Sequence, residues 1–322
     1  MAWTILSVLL VVLVVDLAIR AFYVRLILPQ FEAKPPFNVC PHPADLAAET
    51  VTAATEDGVT LRGRLYRGHD PSPRGLILFL PELDGDHCSA IFYCAGLLDA
   101  GFDVLSFDFR GQGDSDAVPG YEPFHWPTTG ELRDANAALQ YIANRPDLRD
   151  LPLGLMGISR GSLVALIAAA ENPQVRAVCG EGTYTVDALL EHFVMRWARL
   201  YLPPWAMAII PMWHFRITLR MVRWTSELCR RVQYAIAERQ LWRLRGRPVL
   251  LIAGSRDNYV QPEVVRKIAA RIDSPLCRVW EVPDAKHNQA RETAPDEYDR
   301  QVVEFFAAIA PARTDSTPVL VS

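Results

Sequence analysis

The sequence MGISRG at residues 156–161 joins a predicted strand to a predicted helix. A G-x-S-x-G nucleophile elbow requires this context, because its strand-to-helix turn is so sharp that the serine hydroxyl projects alone. Gly157 and Gly161 lack side chains, so neighbouring elements can approach the turn closely. The bare pattern also arises by chance in structural turns. Its position between a strand and a helix predicts that Ser159 is a nucleophile.

Short apolar runs alternate with helical stretches along most of the chain. A fully apolar run is typical of a strand covered on both faces, and alternation with helices indicates a parallel sheet with right-handed crossovers. Residues 58–66 instead alternate apolar and polar side chains, as a half-exposed antiparallel strand does. Buried strands are predicted at 75–80, 102–108 and 248–253, further strands at 151–156, 175–179 and 277–282, and helices at 89–98, 129–144, 160–170, 262–272 and 296–310. The sequence therefore predicts an α/β fold.

The alternation stops between residues 183 and 245. This segment contains no run typical of a buried strand, and prolines at 203, 204 and 211 interrupt it. We predict a helical cap inserted over the carboxyl edge of the sheet, where open α/β sheets place their ligands. The predicted organisation is an anchor at 1–30, a proline-rich linker at 31–50, a core at 51–182 and 246–312, the cap at 183–245 and a tail at 313–322.

A serine hydroxyl is a weak nucleophile until a base takes its proton, so a histidine and an orienting carboxylate are needed. Of the seven histidines, only His287 lies in a loop between the last predicted strand and the last predicted helix. Asp257 follows the strand at 248–253, so its loop opens at the same edge of the sheet. Glu181, after the preceding strand, is the rival acid. His287 and Asp257 also have structural interpretations, as an exposed loop histidine and a helix N-cap.

Four ordered motifs resemble those of the α/β-hydrolase superfamily. Besides the elbow at Ser159 and the acid loop at Asp257, the chain contains DFRGQGDS at 108–115, similar to a D-x-R-G-x-G-x-S loop of that family, and KHN at 286–288. The similarity runs from about residue 61 to 310 apart from the insertion. It implies the α/β-hydrolase fold, a Ser-His-Asp triad that forms an acyl-enzyme, and no cofactor. The anchor and cap resemble membrane-anchored bacterial members of the esterase and acyl-aminopeptidase-like groups.

The resemblance fails in the loop after the third strand. Family members commonly carry His-Gly-x there, and residue x donates a backbone N–H to the oxyanion hole, but this chain reads PELDG at 81–85. The register implies that Leu83 is this donor, with the N–H of Arg160 as its partner. A backbone donor does not depend on its side chain, so the hole can persist. Glu82 and Asp84 place negative charge near the developing oxyanion and oppose its stabilisation unless they point away.

The chain opens with an apolar stretch from Ala2 to Val15, which continues past Asp16 and Arg20 to Leu28. A helix of about 25 residues spans roughly 37 Å, enough for a bilayer core. Asp16 and Arg20 stand at positions i and i+4 of this helix, so they can form an ion pair, or both can lie at the membrane–water interface. A cleaved signal peptide needs a basic start and a small-residue cleavage site; neither is present, which favours an uncleaved anchor. The basic residues that follow favour a cytoplasmic body: Arg20, Arg25 and Lys34.

The net charge of −4 does not indicate nucleic acid binding. Between residues 190 and 247, eleven arginines, no lysine and three acids give +8, against −12 elsewhere. This stretch is either a solvated basic face or a surface for anionic lipid or an anionic substrate. The six cysteines show no CxxC pair and are expected to be reduced. A metal cluster is not expected, because its candidate ligands match no structural zinc spacing: Asp84, Asp86, His87 and Cys88.

The sequence thus predicts a membrane-anchored serine hydrolase that cleaves an ester or a related acyl bond. Its apolar, arginine-containing cap favours an acyl or lipid-like small molecule as substrate, and the cap is also a candidate for contact with the membrane. Amide or peptide hydrolysis uses the same residues and stays an alternative. A non-catalytic binding protein is a further alternative, supported by the altered loop at 81–84. No feature of the sequence indicates an oligomeric state.

Overall fold

An eight-stranded sheet lies at the centre of the computed structural model, which describes residues 1–35, 47–201 and 203–310. The strands are β1 Glu49–Ala54, β2 Thr60–Tyr66, β3 Leu76–Leu80, β4 Asp103–Phe107, β5 Leu153–Ile158, β6 Val175–Glu181, β7 Val249–Gly254 and β8 Cys277–Val282. They lie in the order β1-β2-β4-β3-β5-β6-β7-β8. β2 pairs antiparallel with β1 and β4, and all other neighbours are parallel. The predicted α/β fold with a mostly parallel sheet is confirmed.

The helices lie on both faces of this sheet. They are α1 Ala2–Phe31, α2 Ser89–Tyr93, α3 Ala95–Asp99, α4 Thr129–Asn144, α5 Arg160–Glu171, α6 Val186–Tyr201, α7 Pro204–Ile209, α8 Met212–Arg230, α9 Pro262–Ile272, α10 Ala290–Thr293 and α11 Pro295–Ala307. The single helix predicted over 89–98 is two short ones, because Cys94 takes a non-helical conformation with φ −111° and ψ 13°. The predicted helix over 296–310 is α11, which ends earlier.

The fully apolar runs form the middle of the sheet. Every residue of β3, β4, β5 and β7 is buried, because α4, α5 and α9 pack on one face while α2, α3 and α11 pack on the other. Burial alternates along β2, as its alternating sequence predicts. Parallel strands end at one edge of a sheet, so the loops after β3, β5, β6 and β7 meet there.

The described residues between β6 and β7 contain helices and no sheet strand. They form α6, α7 and α8, followed by two short 3-10 turns at Ala237–Arg239 and Leu241–Leu244. Arg216 pairs with Glu191, and Arg223 pairs with Asp187, so part of the predicted basic surface is neutralised within the cap. The residue limits of the cap and of the other predicted units stay predictions.

Helix α1 is, among the described residues, the one helix long and apolar enough to cross a membrane, and it fits either a membrane anchor or a signal sequence. Residues 2–15 are exposed, whereas Val24 and Phe31 are buried. The predicted linker at 31–50 thus begins with a residue of this helix. Its residues 36–46 lie outside the described ones.

The second half of α1 packs along α8. Arg20 pairs with Asp16 at 2.6 Å, as one sequence interpretation predicted, and also donates to the carbonyl of His214 at 2.8 Å. Glu32, the C-cap residue of α1, lies twelve residues after Arg20 and accepts a hydrogen bond from Ser226, which lies twelve residues after His214. The two helices therefore run side by side in the same direction. This half of α1 belongs to the folded body.

Candidate active site

Ser159 lies at the turn between β5 and α5. Its backbone has φ 51° and ψ −115°, a conformation that costs energy in a residue with a side chain. A methyl group on Gly157 would lie 2.4 Å from the carbonyl oxygen of Gly161, and one on Gly161 would lie 2.1 Å from the carbonyl oxygen of Leu80. The two glycines therefore permit α5 to approach both β5 and the end of β3.

His287 links Ser159 to Asp257. Its Nε2 lies 2.9 Å from Ser159 Oγ, and its Nδ1 lies 2.7 Å from Asp257 Oδ2. The other carboxylate oxygen, Oδ1, accepts hydrogen bonds from the N–H groups of Tyr259 and Val260, each at 2.8 Å. The three predicted side chains thus meet in one hydrogen-bonded chain. Such a chain can move a proton from a hydroxyl to an imidazole that a carboxylate orients.

Glu181, the rival acid, binds other groups. Its Oε1 accepts a hydrogen bond from the N–H of Ala290 at 2.9 Å, and its Oε2 accepts one from the hydroxyl of Tyr298 at 2.8 Å. Burial raises the pKa of this carboxyl, and the two hydrogen bonds offset part of the rise. The backbone carbonyl of Glu181 accepts a hydrogen bond from the N–H of Ser159 at 2.8 Å. Glu181 therefore supports the elbow, while Asp257 contacts the imidazole.

The two acids of the loop at 81–85 have partners of their own. Glu82 is buried, and its Oε1 accepts a hydrogen bond from the hydroxyl of Ser89 at 3.1 Å. Asp84 forms an ion pair with Lys34 at 2.8 Å, with about half of each side chain exposed. Both carboxylates are thus held by groups other than the triad. The use of the Leu83 and Arg160 N–H groups as oxyanion donors stays a prediction.

We expect the substitution Glu82→Gln to stabilise the protein at alkaline pH. Burial raises the pKa of Glu82 from 4.5 to about 7, so the folded protein keeps a proton that the unfolded chain releases between these values. The resulting cost is absent below the unfolded pKa, grows as the pH rises and reaches up to about 3 kcal/mol above pH 7. Glutamine does not titrate and avoids this cost.

Thermal unfolding at two pH values checks this expectation. The variant should melt above the wild type at pH 8 and close to it at pH 4. Because other buried carboxyls titrate in both proteins, the difference between the two melting temperatures is the quantity to compare. A difference that is the same at both pH values would contradict the role assigned to Glu82.

A buried ion pair that the sequence analysis missed connects the elbow to the loop at 81–85. Arg160 is 0% exposed, and its guanidinium donates hydrogen bonds to Glu131 and to the side-chain oxygen of Gln112. Gln112 in turn donates to the carbonyls of Glu82 at 3.2 Å and Gly85 at 2.8 Å. The side chain next to the predicted nucleophile therefore fixes the loop that carries the predicted oxyanion donor.

Aromatic side chains, also missed from the sequence, cover the triad. The ring of Tyr259 lies 5.3 Å from that of His287 and 6.2 Å from that of Tyr184. Tyr184 packs edge-on against Trp126 at 5.7 Å. Ser159 is only 2% exposed. Ser159 is therefore almost fully shielded from solvent.

Three of the four candidate metal ligands come together, those at 86–88, whereas Asp84 pairs with Lys34. Donor atoms of Asp86, His87 and Cys88 lie within 4.8 Å of one another. His87 Nδ1, however, lies 2.9 Å from a carboxylate oxygen of Asp108, which also accepts a hydrogen bond from the His87 N–H. These contacts give the imidazole a structural partner without an ion.

Known proteins resemble this chain over part or most of its length. It is 24% identical over 282 residues to the alpha/beta hydrolase domain-containing protein WAV2 of Arabidopsis thaliana, and the alignment covers 86% of this chain and 84% of that protein. It is 27% identical over 128 residues to the thiohydrolase aneE of Aspergillus aculeatus, 38% of each chain. The esterase Pf2001 of Pyrococcus furiosus has a similar structure, with a TM-score of 0.61 and 22% identity over 86% of this chain and 97% of that one.

A family model matches the part of the chain that contains the candidate active site. The model of the alpha/beta hydrolase family matches residues 77–304, which include Ser159, Asp257 and His287. This match spans more than half of the 322 residues and supports hydrolase activity. The chain therefore belongs to the alpha/beta hydrolase family.

Proposed function

We propose that this protein is a serine hydrolase that cleaves a carboxylic ester or a related acyl bond. The observation that carries the proposal is the chain of hydrogen bonds from Asp257 through His287 to Ser159, with donor–acceptor distances of 2.7 and 2.9 Å. These three side chains come from loops after three different strands. Their order along the chain, serine, acid and histidine, is the one this fold uses.

The proposed reaction follows from this geometry. Ser159 Oγ attacks the acyl carbonyl while His287 Nε2 takes the hydroxyl proton, and Asp257 stabilises the imidazolium. The N–H groups of Leu83 and Arg160 bind the oxyanion of the tetrahedral intermediate. As the carbonyl re-forms, the bond to the alcohol breaks and His287 returns the proton to it. Water, activated by the same imidazole, then attacks the acyl-enzyme and releases the acid.

A fluorophosphonate probe tests the nucleophile directly. We expect the folded wild type to be labelled at neutral pH, with mass spectrometry placing the adduct on Ser159. Absence of labelling would instead favour a binding protein, the alternative that the altered loop at 81–84 supports. A panel of p-nitrophenyl esters, thioesters and aminoacyl amides would then identify the bond, because all three classes can use the same residues.

The identity of the triad acid can be tested with two substitutions, one at each candidate carboxyl. We expect Asp257→Asn to lower kcat by about 10⁴-fold, because an amide leaves the imidazole in the wrong tautomer. Glu181→Gln is the matched control, since Glu181 is an equally buried carboxyl that binds Ala290 and Tyr298. It should lower stability and change kcat far less. Steady-state kinetics with p-nitrophenyl butyrate distinguish the two acids, and the reverse ranking would assign the role to Glu181.

We also propose that α1 anchors the protein in a membrane with the folded body on the cytoplasmic side. Its first fourteen residues, 2–15, are exposed and apolar apart from Thr4 and Ser7. On the cap, Trp213 is 59% exposed beside His214, which accepts the hydrogen bond from Arg20. Trp213 is thereby placed at the depth where the exposed part of α1 begins, a position typical of interfacial tryptophan. The basic cap residues that face solvent suit anionic lipid.

Membrane retention after carbonate extraction checks the anchor. We expect the double substitution Leu9→Arg and Val12→Arg to release most of the protein, because each arginine near a bilayer centre costs about 2.5–3.5 kcal/mol. Leu9→Ala with Val12→Ala is the control and should be retained. Protease protection in sealed vesicles reports the side of the body. A mature protein lacking residues 1–20 by mass would mean that α1 is a signal sequence.

A further inference from the structure

A small cavity lies where the end of α1 meets cap helix α6. Its volume is about 40 Å³, and it is lined by Ile27 and Phe31 of α1 and by Leu190, Phe193 and Trp197 of α6, among others. The described residues that line it include no charged side chain. The chemistry of the walls therefore suits an uncharged, apolar group.

The same aromatic side chains line this cavity and cover the triad. Tyr259 belongs to its wall, and the ring of Tyr259 lies 5.6 Å from that of Phe193 and 5.3 Å from that of His287. On the opposite side, Trp126 stacks on Phe31 with ring centroids 4.9 Å apart. The cavity therefore lies beside the last turn of α1, and the ring of Tyr259 stands between it and His287.

One neutral polar ring stands in this apolar wall. His125 lines the cavity and is 2% exposed, and its Nδ1 has no hydrogen-bond partner among the described residues. Burial lowers the pKa of His125 to about 3, so the ring is uncharged at neutral pH. Walls that are mostly apolar, with uncharged hydrogen-bonding side chains such as Gln30 and His125, suit an uncharged acyl chain.

We propose that this cavity is the acyl-chain site of the enzyme and that the last turns of the anchor helix form one of its walls. The inference rests on the proposed function, since it takes Ser159 as the reacting group. From this site α1 continues without a break to its exposed apolar first half. α1 thus connects this site to the segment that we propose to lie in the bilayer.

The volume sets a further requirement. About 40 Å³ holds little more than one water molecule, so a long acyl chain must part α6 from α1 as it enters. Each methylene group that it buries should gain about fourfold in affinity. The specificity for chain length then depends on the side chains where α1 contacts α6.

Substitutions at neighbouring positions of α1 test the proposal. Ile27 lines the cavity, whereas Leu26 is 53% exposed and does not line it. We expect Ile27→Trp, in the full-length protein, to lower kcat/KM for p-nitrophenyl laurate tenfold or more relative to p-nitrophenyl acetate. Ile27→Ala should shift the same ratio the other way, towards laurate or longer chains. Leu26→Trp and Leu26→Ala should keep the wild-type ratio.

A binding measurement separates failure of this inference from failure of the proposed function. With Ser159→Ala as background, a fluorescent twelve-carbon fatty acid should bind at least tenfold more weakly once Ile27→Trp is added, and Leu26→Trp should have no effect. If neither the chain-length ratio nor this binding responds to Ile27, the acyl site is elsewhere, even where Ser159 is labelled. If Ser159 is never labelled, the proposed function fails, and the binding result alone decides whether the cavity takes a chain.

Discussion

Ser159→Ala should lower the turnover of an activated ester by about 10⁵- to 10⁶-fold, the largest effect that we expect from any single change. The alanine variant has no oxygen to form the acyl-enzyme and no hydroxyl for His287 to deprotonate. The variant keeps substrate binding and any oxyanion donors, and these alone accelerate such reactions by about 10³–10⁴ over the uncatalysed reaction in water. The measurement is kcat with p-nitrophenyl butyrate, with thermal unfolding recorded in parallel to show that the variant is folded.

A second buried serine provides the control. The hydroxyl of Ser162 donates to the carbonyl of Ser159 at 2.6 Å, one turn into α5, and both residues are almost fully buried. Ser162→Ala removes a similar hydroxyl from the same helix and should change kcat less than tenfold. Activity of the Ser159 variant above about 1% of wild type would mean that another group is the nucleophile.

The local features of the site could be predicted because they depend on short stretches of sequence. Gly157 and Gly161 flank Ser159 at the strand-to-helix turn, and the fully apolar runs indicate the strands after which Asp257 and His287 follow. Strand ends in a parallel sheet share one edge, so these three residues were expected to meet. The structure places them within hydrogen-bond distance of one another.

The contacts that could not be predicted join residues far apart in the chain. Arg160 lies 29 residues from Glu131 and 48 from Gln112, and an arginine beside a nucleophile has no local feature that marks it as buried. One signal was present: T-T-G-E at 128–131 is a capping-box pattern, and the glutamate does accept a hydrogen bond from the Thr128 N–H. The pattern predicts the N-cap interaction of α4 but not the arginine that binds the same carboxylate.

The packing of α1 on the cap was missed for a related reason. The helix is apolar on all sides, so its sequence shows no face that would mark one half as buried in protein and the other as exposed. Phe31 and Trp126 are 95 residues apart, and their stacking depends on how α1 lies against the loop before α4. Contacts of this kind follow from tertiary structure alone.

The second large effect concerns stability. Glu131→Gln should lower the free energy of unfolding by about 3–5 kcal/mol, because it leaves the buried guanidinium of Arg160 without a counter-charge. Burial alone would raise the pKa of Glu131, but Arg160 and hydrogen bonds from Tyr121 and Thr128 outweigh it, so the carboxylate is charged in the folded protein. Glutamine can still serve the capping box with its oxygen, but its NH₂ group then faces Arg160 and Tyr121, so the change removes the charge and one hydrogen-bond acceptor together. For 322 residues the shift in melting temperature is about 5–8 °C.

An identical substitution at the surface gives the control. Glu297 pairs with Arg300 at 2.6 Å, but both side chains are well exposed, so Glu297→Gln should leave the melting temperature almost unchanged. Adding Arg160→Met to Glu131→Gln removes the unpaired charge and should restore part of the lost stability. A Glu131 variant that melts with the wild type would show that the pair is not a major source of stability.

Arg160 also links this stability to the chemistry at Ser159. In the double variant no side chain donates to the oxygen of Gln112, so the amide that holds the carbonyls of Glu82 and Gly85 loses its own anchor. If the loop carries an oxyanion donor, kcat should fall even where stability recovers, because a misplaced donor costs transition-state binding. Recovered stability with full kcat would mean that the loop keeps its position without Arg160, and that the ion pair serves the fold alone.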